Sequence, residues 1–152
     1  MPFRTRGKNT TYRSRWVYFY IWQAILSRTS LSGGWKVSKA VLIKREEWAK
    51  RDDAWYGSVE GTRFGTDTSI IFYTTDIVGH GPKLHRHPYD EIFIVRQGEA
   101  LFTVGDQQIK VKEGQVVFGP ASIPHKFINL GPGRLETTDI HVSRQFVQED
   151  LE

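Results

Sequence analysis

Residues 79–98 read GHGPKLHRHPYDEIFIVRQG, and this stretch decides what fold the chain adopts. His85 and His87 are two residues apart, so on a strand both side chains point to the same face. Pro88 cannot donate a ladder hydrogen bond, which predicts that this strand ends there and that the chain turns. Glu91 then opens the next strand. The stretch therefore predicts two strands that bring two imidazoles and a carboxylate to one place.

A second stretch, residues 114–129, reads GQVVFGPASIPHKFIN and supplies a third histidine. His125 begins a predicted strand, with Phe127 and Asn129 on the same face. Three imidazole nitrogens and one carboxylate oxygen suit Fe(II), Mn(II), Ni(II), Co(II) or Zn(II), and do not suit calcium. The sequence therefore predicts one divalent transition-metal ion, with the ligands His85, His87, Glu91 and His125.

The chain around these stretches has the pattern of an all-β protein. Short runs rich in β-branched and aromatic residues alternate with separators that contain glycine or proline. This pattern is typical of an antiparallel sandwich or barrel. The run at 92–95 is apolar at every position, which predicts that both faces of its strand are covered. The predicted strands are 69–75, 91–96, 100–104, 108–112, 115–118, 125–130 and 135–142, with a further short candidate at 40–43.

The two stretches together resemble the cupin superfamily. Its first motif is matched without departure from Gly79 to Gly98, and its second from Gly114 to Asn129, except that Ser122 stands where the family usually has glycine. The resemblance covers about residues 69–150 and is to a small single-domain cupin with both motifs. It implies an antiparallel cupin β-barrel, also described as a jelly-roll-like double-stranded β-helix. The metal-binding core would be residues 79–142.

The charge is unevenly distributed along the chain. Residues 1–36 carry seven basic side chains and no acid, whereas the other 116 residues carry 14 basic and 17 acidic ones. No helix-turn-helix or zinc-finger pattern accompanies the basic residues, so no nucleic-acid partner is expected. There is no cysteine, which excludes a disulfide scaffold, a thiolate metal site and a cysteine nucleophile. We expect a basic leader outside the fold at 1–36 and a single barrel domain at 37–152.

The leader contains one aromatic and apolar run, residues 16–26, which is shorter than the roughly 20 residues that span a bilayer. No membrane span is therefore predicted. A tail outside the fold, such as an over-extended translation start, is the preferred interpretation, and the acid-free, arginine-rich composition also fits an organellar transit peptide. The expected location is cytoplasmic, with targeting by the leader as the alternative.

The motifs leave three classes of function open. A small metalloenzyme would bind an oxygen-rich molecule at the metal and act as a dioxygenase, decarboxylase or isomerase. A non-catalytic module would bind a small ligand or the metal alone. A structural barrel would use the metal only for stability. In each case the expected partners are a small molecule and a second copy of the chain, since a homodimer would cover the edge strands of a small barrel.

Four other residues near the motifs are of interest. His80 lies in a Gly-Pro loop, where a solvated side chain is expected. His141 is expected to be a histidine at a strand edge, with a contact to the metal ligands as the alternative. Arg86 and Tyr89 flank the ligands and are not assigned a role.

Overall fold

The computed structural model describes residues 39–152. The predictions for the leader at 1–36, including its apolar run, lie outside the described residues. Residues 40–152 form one compact unit. Its elements, in chain order, are α1 (Arg45–Trp48), β1 (Gly57–Val59), a 3-10 turn (Gly61–Arg63), β2 (Ser69–Thr75), β3 (His85–Arg86), β4 (Glu91–Gln97), β5 (Glu99–Val104), β6 (Gln107–Lys112), β7 (Val116–Gly119), β8 (His125–Asn129), β9 (Leu135–His141) and β10 (Glu149–Asp150).

The strands form two five-stranded antiparallel sheets. The first has the order β1-β2-β9-β4-β7 and the second has the order β10-β3-β8-β5-β6. Most neighbouring strands are distant in the sequence, as in β9, which lies between β2 and β4, whereas β1–β2 and β5–β6 are consecutive. The predicted all-β, cupin-type architecture is therefore confirmed. The seven strands predicted from residue 69 onward are all present, with their ends displaced by at most one residue.

The predicted strand at 40–43 is wrong. These residues have no regular structure, and Val41 and Leu42 are exposed. β-branched residues favour a strand only when another strand offers backbone groups to pair with. The described part of the chain offers no such partner at this position. α1 begins directly after this segment and is one turn long.

The hydrophobic core fills the space between the sheets next to the predicted ligands, and the ring of Phe93 packs against His125. Alternate residues of β4 and β5 point inward, so Phe93 and Phe102 meet with ring centroids 5.2 Å apart. Phe127 of β8 completes the group, 4.9 Å from Phe102. The core consists of Phe93, Val95, Ala100, Phe102, Val104, Val111, Val117, Phe127 and Leu135.

The outer face of the first sheet is covered by the segment that precedes β1. Trp48 and Trp55 pack against Phe72 of β2, with ring centroids 4.0 and 4.8 Å away. The indole nitrogen of Trp55 donates to Thr138 of β9, and the guanidinium of Arg96 lies 3.7 Å from the Trp55 ring centroid. This cover explains why β4 carries apolar residues on both of its faces, as the sequence predicted.

Two tight turns have the conformations that the motifs require. Gly98 has a φ of 85°, and a Cβ there would lie 2.4 Å from the Arg134 carbonyl oxygen, so only glycine fits. Ser122 has a φ of 65° at the position where cupins usually have glycine. Its main-chain nitrogen donates to the carbonyl oxygen of His87, so this turn supports a predicted ligand. Among residues 39–152, no helix is both long and apolar enough to cross a membrane.

Candidate metal centre

The four predicted ligands meet at one end of the space between the sheets. His85 of β3 is paired with His125 of β8 in the second sheet, and Glu91 begins β4 in the first sheet. His87 follows β3 by one residue. Each of the four side chains offers a donor atom within 4.8 Å of those of the other three. All four residues are buried, with exposed fractions between 1% and 5%.

The distances between donor atoms suit a shared ion. Glu91 Oε2 lies 3.1 Å from His87 Nε2 and 3.0 Å from His125 Nε2. Two ligand atoms at right angles on a metal ion with bonds of about 2.1 Å are roughly 3 Å apart. The carboxylate oxygen and the two nitrogens therefore already have the spacing of adjacent ligands.

The rings of His85, His87 and His125 are each oriented by a contact of the Nδ1 atom. A histidine that binds a metal through Nε2 uses its Nδ1–H to donate to a neighbouring acceptor, which fixes the tautomer and the ring plane. Here every Nδ1 lies within hydrogen-bonding distance of a main-chain carbonyl oxygen. The pairs are His85 with Lys83 at 2.6 Å, His87 with Val147 at 2.7 Å, and His125 with Ile123 at 2.9 Å.

The electrostatics of the cluster favour the ionised form of Glu91. Burial opposes the charge of Glu91, but the hydrogen bonds from His125, His141 and His87 outweigh it and hold its pKa well below its usual range. Burial lowers the pKa of His85, which keeps that ring neutral and its Nε2 free to bind a cation. For His87, burial is outweighed by Glu91 and the Val147 carbonyl, which raise its pKa.

A fourth histidine also contacts Glu91, as the alternative interpretation of His141 predicted. The prediction of an edge histidine is wrong for His141, because β9 is an inner strand and the side chain is 2% exposed. His141 is paired with Glu91 across the sheet, and its Nε2 lies 2.9 Å from Glu91 Oε1. His80, in contrast, is exposed as expected.

Asp139 is a second buried carboxyl group on β9, two residues from His141. Thr137 donates to its Oδ2 at 3.1 Å, and its Oδ1 has no partner within residues 39–152. Burial, and then the charge of Glu91, raise the pKa of Asp139 well above its usual value. The raised pKa of Asp139 and the lowered pKa of Glu91 make Glu91 the more readily ionised of the two carboxyl groups.

The last residues of the described chain, 143–152, form a strap across this end of the barrel. Its strand β10 pairs with β3, and Arg86 forms a two-point ion pair with Glu149. Both main-chain groups of Val147 bond to the Tyr89 hydroxyl group, in addition to the bond from His87. Arg86 and Tyr89 are thus occupied by the strap.

The residues present fit a divalent transition-metal ion. The donor set is three imidazole nitrogens and one carboxylate oxygen, which matches the borderline metals. His87 Nε2 is buried without a well-aligned hydrogen bond in the described chain, although it faces Glu91. A buried nitrogen of this kind is left with an unused lone pair, which a cation would satisfy.

Comparison with known proteins supports this description. Residues 72–141 match the cupin domain family. An uncharacterized protein of Streptomyces coelicolor is 44% identical over 62 residues, which is 41% of this chain and 58% of that protein. Another, from Methanocaldococcus jannaschii, is 34% identical over 55 residues, which is 36% of this chain and 44% of that protein. The matches thus span about half the length of these relatives.

Solved structures with the same fold include oxalate decarboxylase of Bacillus subtilis. One, from a study of its Mn(II) centres, has a TM-score of 0.61 at 20% identity and covers 70% of this chain and 30% of that one. Another, at pH 4.6, has a TM-score of 0.57 at 21% identity, with coverages of 62% and 27%. At this identity the similarity concerns the fold. The two sheets, the family match and the buried His/Glu cluster agree, and the chain contains a small cupin domain.

Proposed function

We propose that this protein binds one divalent transition-metal ion through His85, His87, Glu91 and His125, and acts as a small metalloenzyme on an oxygen-rich molecule. The reaction class is that of a dioxygenase, a decarboxylase or an isomerase. The observation that carries the proposal is the orientation of the three ligand imidazoles. In each ring, Nδ1 is hydrogen-bonded to a main-chain carbonyl oxygen. This contact turns Nε2 toward Glu91.

The chain's own residues prepare the site before any ion arrives. The main-chain anchors remove the rotational freedom of the three rings, and burial keeps bulk water from Glu91. A bound ion would supply Lewis-acid or electron-transfer chemistry at positions that four protein ligands leave free. Glu91 contributes the negative charge that offsets part of the charge of the cation.

A shallow cleft beside His87 is the candidate approach for a substrate. Its volume is about 450 Å³, and its walls include Arg86, Pro88, Ser122 and Gln148. Glu149 also lines the cleft and forms an ion pair with Arg86. A small carboxylic acid is the substrate class to test first. Oxalate is the first compound to test, since the similar structures are of an oxalate decarboxylase.

The test begins with the metal content of the purified protein, measured by elemental analysis without supplementation. The protein is then loaded with Mn(II), Fe(II) or Zn(II) and offered oxalate and other small carboxylates, with oxygen uptake and CO2 release recorded. We expect turnover that is lost in Glu91→Gln and kept in His80→Gln, whose side chain is exposed. Substoichiometric metal in the native protein after loading would overturn the proposal.

One observation favours a second candidate, a metal-stabilised or metal-binding barrel without catalysis. The four ligands are almost completely buried, as they are in structural sites. In that case the protein would bind its metal stoichiometrically and gain stability, but no carboxylate would change the spectrum of bound Co(II). A spectral change on adding oxalate would instead support a site that exchanges ligands.

We further propose that the protein is a homodimer. β7 is an edge strand of the first sheet, and it carries Val116 and Phe118 with 60% and 55% of their surface exposed. A second copy would cover both the unpaired backbone groups and these side chains. Light scattering of dilute protein tests this, and a clean monomer mass contradicts it.

A further inference from the structure

His141 contacts the carboxylate oxygen of Glu91 that does not face His87 and His125. The two carboxylate oxygens of Glu91 face different partners. Oε2 faces the Nε2 atoms of His87 and His125, at 3.1 and 3.0 Å, and Oε1 faces Nε2 of His141 at 2.9 Å. The cross-strand pairing of Glu91 with His141 brings the two side chains together.

The surroundings of His141 differ from those of the three predicted ligands. Their Nδ1 atoms all lie against main-chain carbonyls, whereas Nδ1 of His141 has no partner within residues 39–152. Its ring is held by aromatic contacts instead, with centroids 4.9 Å from His87, 5.8 Å from Tyr89 and 5.2 Å from Phe146. Although Nε2 of His141 lies 2.9 Å from Glu91 Oε1, the angle between them is not that of an ideal hydrogen bond.

We propose that His141 is a positioning residue, which donates from Nε2 to Oε1 of Glu91 and so commits the carboxylate to the metal through Oε2 alone. This inference rests on the metal site proposed above. The Nε2–H tautomer leaves Nδ1 as an acceptor without a partner, which agrees with its surroundings. His141 itself is not a ligand, because the group of donor atoms that converge within 4.8 Å consists of the other four residues.

The consequence concerns how the carboxylate binds. A carboxylate that is free on both oxygens can bind an ion through both and occupy two positions. A hydrogen bond to Oε1 favours one-point binding, orients the group, and leaves a position available for an exogenous molecule. Loss of partners of this kind typically lowers metal affinity by about 10- to 100-fold.

Substitutions by amides separate the role of Nε2 from the role of ring shape. The amide nitrogen of glutamine reaches about as far from the main chain as Nε2, and that of asparagine only about as far as Nδ1. The probe is Mn(II) alone, titrated into native protein and into His141→Gln, His141→Asn and His141→Phe. Electron paramagnetic resonance follows free Mn(II), and Cu(II) hyperfine spectra count the bound imidazoles.

We expect His141→Gln to bind Mn(II) within about threefold of native protein, and the Asn and Phe variants about 10- to 100-fold more weakly. The imidazole count should be three in native protein and unchanged in the Gln variant. Equal affinity in all variants, or a count that falls on substitution, would overturn the inference.

Two control measurements keep the outcomes separate. Glu91→Gln must lose Mn(II) binding while the metal-free protein melts as before. If native protein and Glu91→Gln bind equally, the proposed metal site fails and this inference fails with it. If Glu91→Gln loses binding and His141→Asn does not, only the role of His141 is refuted. Thermal melting of each metal-free variant shows whether a loss of affinity comes from loss of the fold.

Discussion

The two sheets contribute to the site through two cross-strand pairs of different character. In one sheet, His85 faces His125, and both rings are anchored to main-chain carbonyls. In the other, Glu91 faces His141, and this pair is held by its own contact and by aromatic packing. One pair is therefore oriented by main-chain carbonyl groups, whereas the other contains the carboxylate of the cluster. An ion bound between them would join the sheets at this end.

The part of the same space next to the site is filled by an aromatic core. Phe93, Phe102 and Phe127 interlock there in edge-on and tilted contacts. The burial of these rings stabilises the fold whether or not an ion is bound. The Glu91 and histidine cluster adds further stability only when it binds an ion. The stability of the fold and the stability gained from metal should therefore respond to different substitutions.

The largest effect is expected in the aromatic core. Phe102→Ala removes a completely buried ring and should lower the free energy of unfolding by about 3–5 kcal/mol. The measurement is urea unfolding, with and without Mn(II). The control is Ile77→Ala, which truncates a side chain with 55% of its surface exposed and should cost less than about 1 kcal/mol. An equal decrease in the free energy of unfolding in the two variants would contradict the assignment of fold stability to the buried aromatic core.

The second effect is expected at the Glu91 and histidine cluster. Mn(II) at about 100 times its dissociation constant should stabilise the native protein by about 2.7 kcal/mol, and a chelator should remove that increment. Glu91→Gln should abolish the increment, and His80→Gln should keep it. Phe102→Ala should also keep it if enough of the variant is folded. An increment that survives in Glu91→Gln would show that the ion binds elsewhere.

The third effect concerns Asp139, whose raised folded-state pKa makes stability depend on pH. Above about pH 4 the unfolded carboxyl group loses its proton while the folded one keeps it. The folded state then binds more protons, so stability falls as pH rises, by up to about 1.4 kcal/mol per pH unit, until the folded group also ionises. Asp139→Asn should lack this decline and be at least as stable as native protein at pH 7.

Chemical denaturation of both proteins at several pH values measures that difference. Each curve also contains the contribution of Glu91, whose lowered pKa works in the opposite direction below about pH 4. The comparison is therefore made above pH 5. A native protein that gains stability there relative to Asp139→Asn would refute the assignment.

The smallest effect is expected at the strap. Tyr89→Phe removes the hydroxyl group that bonds both main-chain groups of Val147, and should cost about 1 kcal/mol. Mn(II) affinity should fall a few-fold, because the same carbonyl orients His87. Tyr56→Phe is the matched control, since Tyr56 is 38% exposed and far less constrained. No difference between the two variants would show that Tyr89 does not hold the strap.

The sequence predicted those parts of the site that depend on local spacing. The two-residue period of a strand places His85 beside His87, and it places Glu91 above Phe93 on the same face. Turn residues such as Gly98 have a conformational requirement that is visible in a single chain. These features need no knowledge of which strands become neighbours.

What the sequence left open or did not predict depends on pairing between distant strands. The contact of His141 with Glu91 is set by the register of β9 against β4, which are separated by the whole second motif. The orientation of His87 by Val147 depends on where residues 143–152 lie, and their sequence has no strong periodicity. The prediction at 40–43 failed for the same reason, since propensity alone does not supply a neighbouring strand.

The strap also bears on where this domain should be cut. The family match ends at residue 141, yet the carbonyl that orients one ligand belongs to residue 147. An expression fragment trimmed to the matched region would keep all four predicted ligands and lose the anchor of His87. Such a fragment would contain every predicted ligand in a sequence alignment. We nevertheless expect it to bind the ion weakly. In this chain, the residues that orient the proposed metal ligands therefore extend past the end of the family match.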